Sequence, residues 1–183
     1  MRREFHVRFL EGLGVRFPGA TCLVILCRTE EEAHVALRKA REVLAGLKLE
    51  LNEEKTQVTS FAKGFDFLGF HFTRRYRKIG TKSLLSFYTK VRETTKRKQG
   101  DRPVTAVIED LNPIIRGWGN YHKEGHNVGM FDKLERWVRK RLRSYIHRRW
   151  RSQTKPTRRE FDQMGLLSMR SIVRPKQLHL VLT

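Results

Sequence analysis

Cysteine is scarce. Cys22 and Cys27, both within one apolar run, are the only two in 183 residues. Two thiols make neither a disulfide framework nor the ligand set of a structural zinc site, and they suit a reducing compartment. Long apolar runs are missing as well: nothing approaches the ~18 residues of a membrane span, and Met1-Arg2-Arg3-Glu4 leads into no apolar signal core. The chain therefore reads as soluble and cytoplasmic. Acid is the third shortage, with 19 Asp and Glu against 39 Lys and Arg and a net charge of +20. Low-complexity linkers and internal repeats are lacking too. What remains is 39% hydrophobic residues, enough for a packed core in one domain or two small ones.

The positive charge is uneven. Residues 1–73 hold 11 Lys/Arg and 10 Asp/Glu, whereas residues 74–183 hold 28 and 9. A field of that density must be neutralised by a polyanion or bear a self-repulsion cost, so nucleic acid is the leading partner class and an anionic membrane surface the second.

Residues 1–18 show no usable periodicity. Thr21 to Cys27 is a short apolar run of strand length, suited to a strand buried on both faces. Thr29 with Glu32 forms a capping-box pattern, and Ala33, Ala36, Leu37, Ala40, Val43, Leu44 and Leu47 follow helical spacing, which predicts a helix over 30–47. Lys48–Leu51 and Thr56–Phe61 read as strands around a polar turn. Phe65 to Phe72 reads as an extended segment apolar on both faces, with Leu84–Tyr88 as its hairpin partner across a basic turn at 74–80. Exposed aromatic surface of that size is rare on a monomer, so protein or ligand must cover it. Period 3.6 then takes over, with helices expected near 89–98, 103–111 and, behind an Asn112 cap and Pro113, as far as Lys123. A last helix over 128–150 sets Phe131, Leu134, Val138, Leu142, Tyr145 and Ile146 against a face of Lys and Arg. The segment 151–183 gives weak signals and reads as a basic tail. The fold class is α+β.

Three blocks occur in order: Leu51-Asn52-Glu53-Glu54-Lys55-Thr56, Phe65-Asp66-Phe67-Leu68-Gly69-Phe70 and Leu111-Asn112-Pro113-Ile114-Ile115-Arg116-Gly117-Trp118-Gly119-Asn120-Tyr121-His122. Together they resemble the end of a group II intron reverse transcriptase and its maturase-specific thumb, the X domain. The resemblance covers about residues 20–150. It implies an irregular segment over 1–19, a partial palm over 20–88 (strand-helix-strand plus a primer-grip-like hairpin), a basic helical-bundle thumb over 89–150 and the tail. It further implies that Phe67, Leu68 and Gly69 lie near a nucleic-acid backbone, and that Lys55 belongs to the turn that assists pyrophosphate departure in the family. The fingers and most of the palm fall outside the chain, as in a truncated or frame-shifted gene remnant.

Helical spacing adds candidate contacts. Arg116, Asn120 and Lys123 share one face of a helix, with Ile114, Ile115, Trp118 and Tyr121 opposite. Arg136, Arg139, Lys140 and Arg143 crowd the last helix with only Asp132 and Glu135 as nearby acids, and Trp137, Tyr145 and Trp150 interleave with them as stacking groups. His122 and His126 have helix-ligand spacing but no third donor, and Asp66, Glu109 and Asp110 form no defensible metal set.

The main departure from the family lies ahead of the apolar strand. Gly19-Ala20-Thr21-Cys22 stands where such enzymes carry Tyr-Ala-Asp-Asp, and neither Thr nor Cys replaces aspartate as a ligand for a hard cation. No catalytic residue, metal or cofactor is therefore expected, Mg²⁺ being needed only by an intact reverse transcriptase. The expected function is an RNA-binding maturase remnant that holds structured RNA, group II intron RNA first, and assists splicing. DNA is a further candidate partner; a membrane and a small-molecule substrate are not expected. The alternatives are a subunit of a split RNA-directed DNA polymerase and a pseudogene product without function.

Overall fold

A computed structural model describes residues 6–11, 22–49, 51–52, 56–96, 102–124, 127–150 and 155–173. The chain is mixed α and β and divides into two compact units, residues 1–80 and 81–183.

The first unit holds two small antiparallel sheets. Strands β1 (His6–Glu11), β2 (Cys22–Cys27) and β3 (Thr56–Ser60) form one, in the order β2-β1-β3. The central strand thus comes from the stretch that has no readable periodicity. β2 lies at an edge, and its Leu26 is 66% exposed, so the strand is not buried on both faces as its composition suggests. Helix α1 (Glu30–Gly46) packs on this sheet with Ala33 fully buried. Thr29 caps it by accepting from the Glu32 amide at 3.2 Å, while the Glu32 carboxylate accepts from the Arg28 amide at 2.8 Å. Lys48, at φ 56°, leaves the helix in the left-handed region, and among the described residues of Lys48–Leu51 there is only an isolated bridge, at Leu51.

The second sheet is a meander of β4 (Phe65–Phe67), β5 (Phe70–Phe72) and β6 (Arg77–Ile79). Residues 65–72 fold back on themselves instead of running extended. Leu68 and Gly69 both have positive φ, 45° and 75°, which is the two-residue turn that matches strand twist. The register then sets Phe65 opposite Phe72, and their rings stack at 5.4 Å. Phe61, Phe67 and Val24 complete the cluster around buried Phe65.

The second unit is helical: α2 (Thr81–Thr94), α3 (Val104–His122), α4 (Val128–Trp150), α5 (Arg158–Gln163) and α6 (Met169–Val173). Leu84–Tyr88 belongs to α2 and is not a strand. Phe87, Val91 and Thr95 are buried at helical spacing, with Leu84 and Tyr88 half-buried beside them. One continuous α3 replaces the two helices expected around Pro113. The Pro113 ring is exposed, so the Glu109 carbonyl that loses its amide partner is on the solvent side of the helix. Asn112 is not a cap. Its side chain donates to the Gly165 carbonyl at 2.9 Å and accepts from the Leu167 amide at 2.9 Å, pinning the loop between α5 and α6. That loop and its helices are packed, not a loose tail, for Phe161, Leu166 and Met169 are buried with Phe87, Ile108, Leu111, Phe131, Leu134 and Leu142. A complete capping box, Thr157 with Glu160, starts α5.

Candidate nucleic-acid interface

The cations of α4 divide by helical phase. Positions 134, 135, 138, 139, 142, 145 and 146 face the core, so Arg139 is only 4% exposed. Its guanidinium donates to Glu135 at 3.1 Å, Asp162 at 2.8 Å and the Arg158 carbonyl at 3.0 Å. Arg143 donates to the Pro156 carbonyl at 2.8 Å and lies over the Phe161 ring at 5.6 Å. Both arginines, expected from sequence to contact RNA, instead hold α5 against α4. The Arg139 guanidinium, buried and held by three bonds, cannot reach an external phosphate without opening the fold.

Glu135 is the centre of this network. Besides Arg139 it accepts from the Ser168 hydroxyl at 2.8 Å and the Arg170 amide at 3.1 Å, and it forms an ion pair with Arg158 at 3.2 Å. Burial by itself would raise its carboxyl, but the Ser168 and Arg170 hydrogen bonds, with the charges of Arg139 and Arg158, outweigh burial and hold it below the usual carboxylate range. The sequence signal for this site was Glu135 and Arg139 at i, i+4. What hid it was the position of Asp162, Ser168 and Arg170 in a segment without clear periodicity.

The outward cations are Lys133, Arg136 and Lys140, one stripe of α4 at i, i+3, i+7 spacing. Arg116, Asn120 and Lys123 are exposed on α3 and share a face as their spacing predicts. Among the described residues, Lys133, Arg136, Lys140, Arg116 and Lys123 make no ion pair, so their charge is available to a polyanion. Tyr121 departs from expectation: it is 52% exposed and stands beside Asn120 on the outer side, whereas Ile115 is buried and Trp118 half-buried. Gly119 explains itself, since a Cβ there would lie 2.7 Å from Ile172 of α6; Gly117 has nothing within 4 Å and is exposed.

The proposed stacking groups are mostly committed. Trp137 packs edge-on against Tyr88 at 4.6 Å, with Arg92 near both rings, and Tyr145 is buried with its hydroxyl donating to the Arg102 carbonyl at 2.8 Å. The side chain of Trp150 lies outside the described residues, as do Lys55, His126 and Gly19-Ala20-Thr21. His122 is 2% exposed and both ring nitrogens are engaged, Nδ1 with the Trp118 carbonyl and Nε2 with the Ser83 hydroxyl, each at 2.9 Å. A carbonyl only accepts, so Nδ1 carries a proton and the Ser83 hydroxyl donates to Nε2 in the neutral ring. The histidine ties α2 to α3.

In the first unit, Leu68 sits at the tip of the β4–β5 turn, 57% exposed, with Phe67 half-buried behind it. The Gly69 carbonyl accepts from the Gly80 amide at 2.8 Å. Left-handed backbone costs a branched side chain such as leucine roughly 1 kcal/mol, and here it displays an apolar group to solvent. β2 opens on Cys22, which pairs across the sheet with Glu11, and Gly19, Ala20 and Thr21 precede it in sequence.

These features define a class: a helical unit, closed by an internal ion network, that presents unneutralised cations on two helices. The residues of that unit from 84 to 165 match the family described as group II intron, maturase-specific domain. The match runs from α2 through α5 and supports a maturase C-terminal domain over that stretch. No curated protein matches the chain. Among the described residues, no helix is long and apolar enough to cross a membrane.

Proposed function

We propose that the chain is an RNA-binding maturase remnant: its helical unit holds structured group II intron RNA by phosphate contacts and assists the RNA toward its splicing-competent fold. The observation that carries this reading is the match over 84–165 falling on the unit in which Arg116, Lys123, Lys133, Arg136 and Lys140 are exposed and make no ion pair among the described residues. Arg116, Asn120 and Lys123 on α3 and Arg136 and Lys140 on α4 make the contacts, with Lys133 added to them. Arg139 and Arg143 support the scaffold from within. Residues 20–88 are the partial palm of this reading, with 81–88 folded as the start of α2, and Phe67, Leu68 and Gly69 are its primer-grip-like turn, where the exposed apolar tip and a Gly69 backbone without a side chain suit close approach of a sugar-phosphate chain. In this reading Lys55 takes no part in proton transfer and touches phosphate at most.

The reading is tested by binding to a group II intron RNA across a salt series. Affinity should fall linearly on logarithmic axes, and Lys133→Ala with Lys140→Ala should shrink the slope by about 2. An unchanged slope removes the α4 stripe from the interface. Primer extension by the purified chain with Mg²⁺ or Mn²⁺ should give no product; clear extension would overturn the reading of the chain as inactive in polymerisation.

A further inference from the structure

A cleft of about 350 Å³ opens between α4, α5 and α6, lined by Asp132, Glu135, Arg136, Arg158 and Arg170. Its hydrogen-bonding ledger is one-sided. The two carboxylates are already satisfied. Asp132 accepts two parallel bonds from Arg170, at 3.1 and 3.2 Å; Glu135 Oε2 accepts from the Ser168 hydroxyl and the Arg170 amide, and Oε1 accepts from Arg139 and is ion-paired with Arg158. Even the Asp132 carbonyl is taken, by Arg136 Nε at 3.3 Å. The donors are not exhausted. Among the described residues, both terminal nitrogens of Arg136, Nη1 of Arg158 and Nη1 of Arg170 have no partner. Behind them, the buried Nε of Arg139 has none either. A cleft whose acceptors are already engaged, with unpartnered N–H groups and three guanidiniums against two carboxylates, selects an acceptor-rich anion over a cation or a neutral donor.

We propose that this cleft is a phosphate receptor, in which Arg136, Arg158 and Arg170 grip one phosphodiester of the RNA. The inference rests on the RNA-binding reading above and deepens it by naming a site that sequence did not show, since Arg158 and Arg170 come from the segment read as a tail. RNA is favoured as the source of the phosphate because Arg136 lies between Lys133 and Lys140 on the outward stripe of α4, so a strand following that stripe passes the mouth of the cleft. The volume suits a phosphate with its flanking sugars, at the small end of the range of ligand sites, about 300–1,000 Å³. Asp132 acts as an internal competitor: it occupies the Arg170 fork until a phosphate takes its place.

The competition makes the test two-sided. With the full chain and a labelled intron RNA hairpin bearing single-stranded flanks, Arg136→Ala with Arg170→Ala should weaken binding about tenfold or more and lower the salt slope by about 1. Asp132→Asn, which releases the Arg170 fork, should strengthen binding several-fold, and by more than Glu109→Gln, an exposed acid of α3 that serves as the control for general charge. Arg136→Lys with Arg170→Lys keeps the charge but loses the fork, and should fall between the alanine pair and the parent. Arg136→Ala alone keeps the proposal testable if the double variant fails to fold, because the recorded bond of that side chain is to a backbone carbonyl. The cleft assignment is overturned if the parent binds RNA while the Arg136 variants keep its affinity and slope, or if Asp132→Asn gains no more than Glu109→Gln. A parent chain with no salt-dependent RNA binding would sink the functional reading itself, and the cleft with it.

Discussion

Arg136 and Arg139 are three residues apart on one helix and have opposite fates. One is in solvent; the other is withdrawn among Glu135, Asp162 and the Arg158 carbonyl. Removing the buried member leaves Glu135 short of a counter-charge, and breaking such a pair costs on the order of 3 kcal/mol. Arg139→Ala should therefore lower the urea midpoint sharply, while Arg136→Ala leaves it within about 0.5 kcal/mol of the parent. Acid tests the same network. Because Glu135 is held below its ordinary value, its contribution to stability is complete above the unfolded carboxylate range, near 4.3, and is lost as pH falls through the lower folded value. Urea midpoints between pH 6 and 3 should show this loss, and Glu135→Gln should flatten it. Charge pattern alone made the two arginines look alike. What separates them is a shift of about 60° around the helix relative to Leu134, Val138 and Leu142, which was legible, and the presence of Asp162, which was not. Glycines offer a second pair: Gly117→Ala, with open space around it, should stabilise α3 by up to about 1 kcal/mol. Gly119→Ala must displace the Ile172 side chain and should gain less or lose stability. Thermal melts of the two variants decide it.

At the level of elements, strong amphipathic periods were readable: α1 with its Thr29 cap and α4 with its apolar stripe stand where spacing placed them. Short apolar runs were not. Leu84–Tyr88 suits a strand or one buried turn of helix equally, and only Val91 and Thr95, a turn and two turns further on, settle the matter as α2. Pro113 drew a boundary through α3 because proline is a breaker by default, yet an exposed ring leaves the orphaned carbonyl to water. Asn112 was misread for a related reason, since its partners Gly165 and Leu167 are more than fifty residues away. Asn112→Ala leaves the Leu167 amide without its acceptor and should cost about 2 kcal/mol. It should also raise amide exchange in the 164–168 loop before it does so in α4, as hydrogen-exchange mass spectrometry can resolve.

For the molecule as a whole, charge was the most legible property and contact geometry the least. Residues 81–183 hold 24 Lys/Arg and 9 Asp/Glu, against 15 and 10 in residues 1–80. A protein spanning 81–183 should therefore keep most of the salt slope of the full chain in an RNA titration, and a slope cut by half would give the first unit a large share of the phosphate contacts. The ion network bears on how such a unit is made. Asp162, Ser168 and Arg170 are translated after α4 is already complete, so a nascent chain paused at Trp150 carries a glutamate and an arginine at core positions with most of their counter-groups still unsynthesised. Tight closure of the bundle must wait for residues 158–170 to leave the ribosome, and a premature stop codon just beyond α4 would damage the protein far more than the loss of a few surface residues.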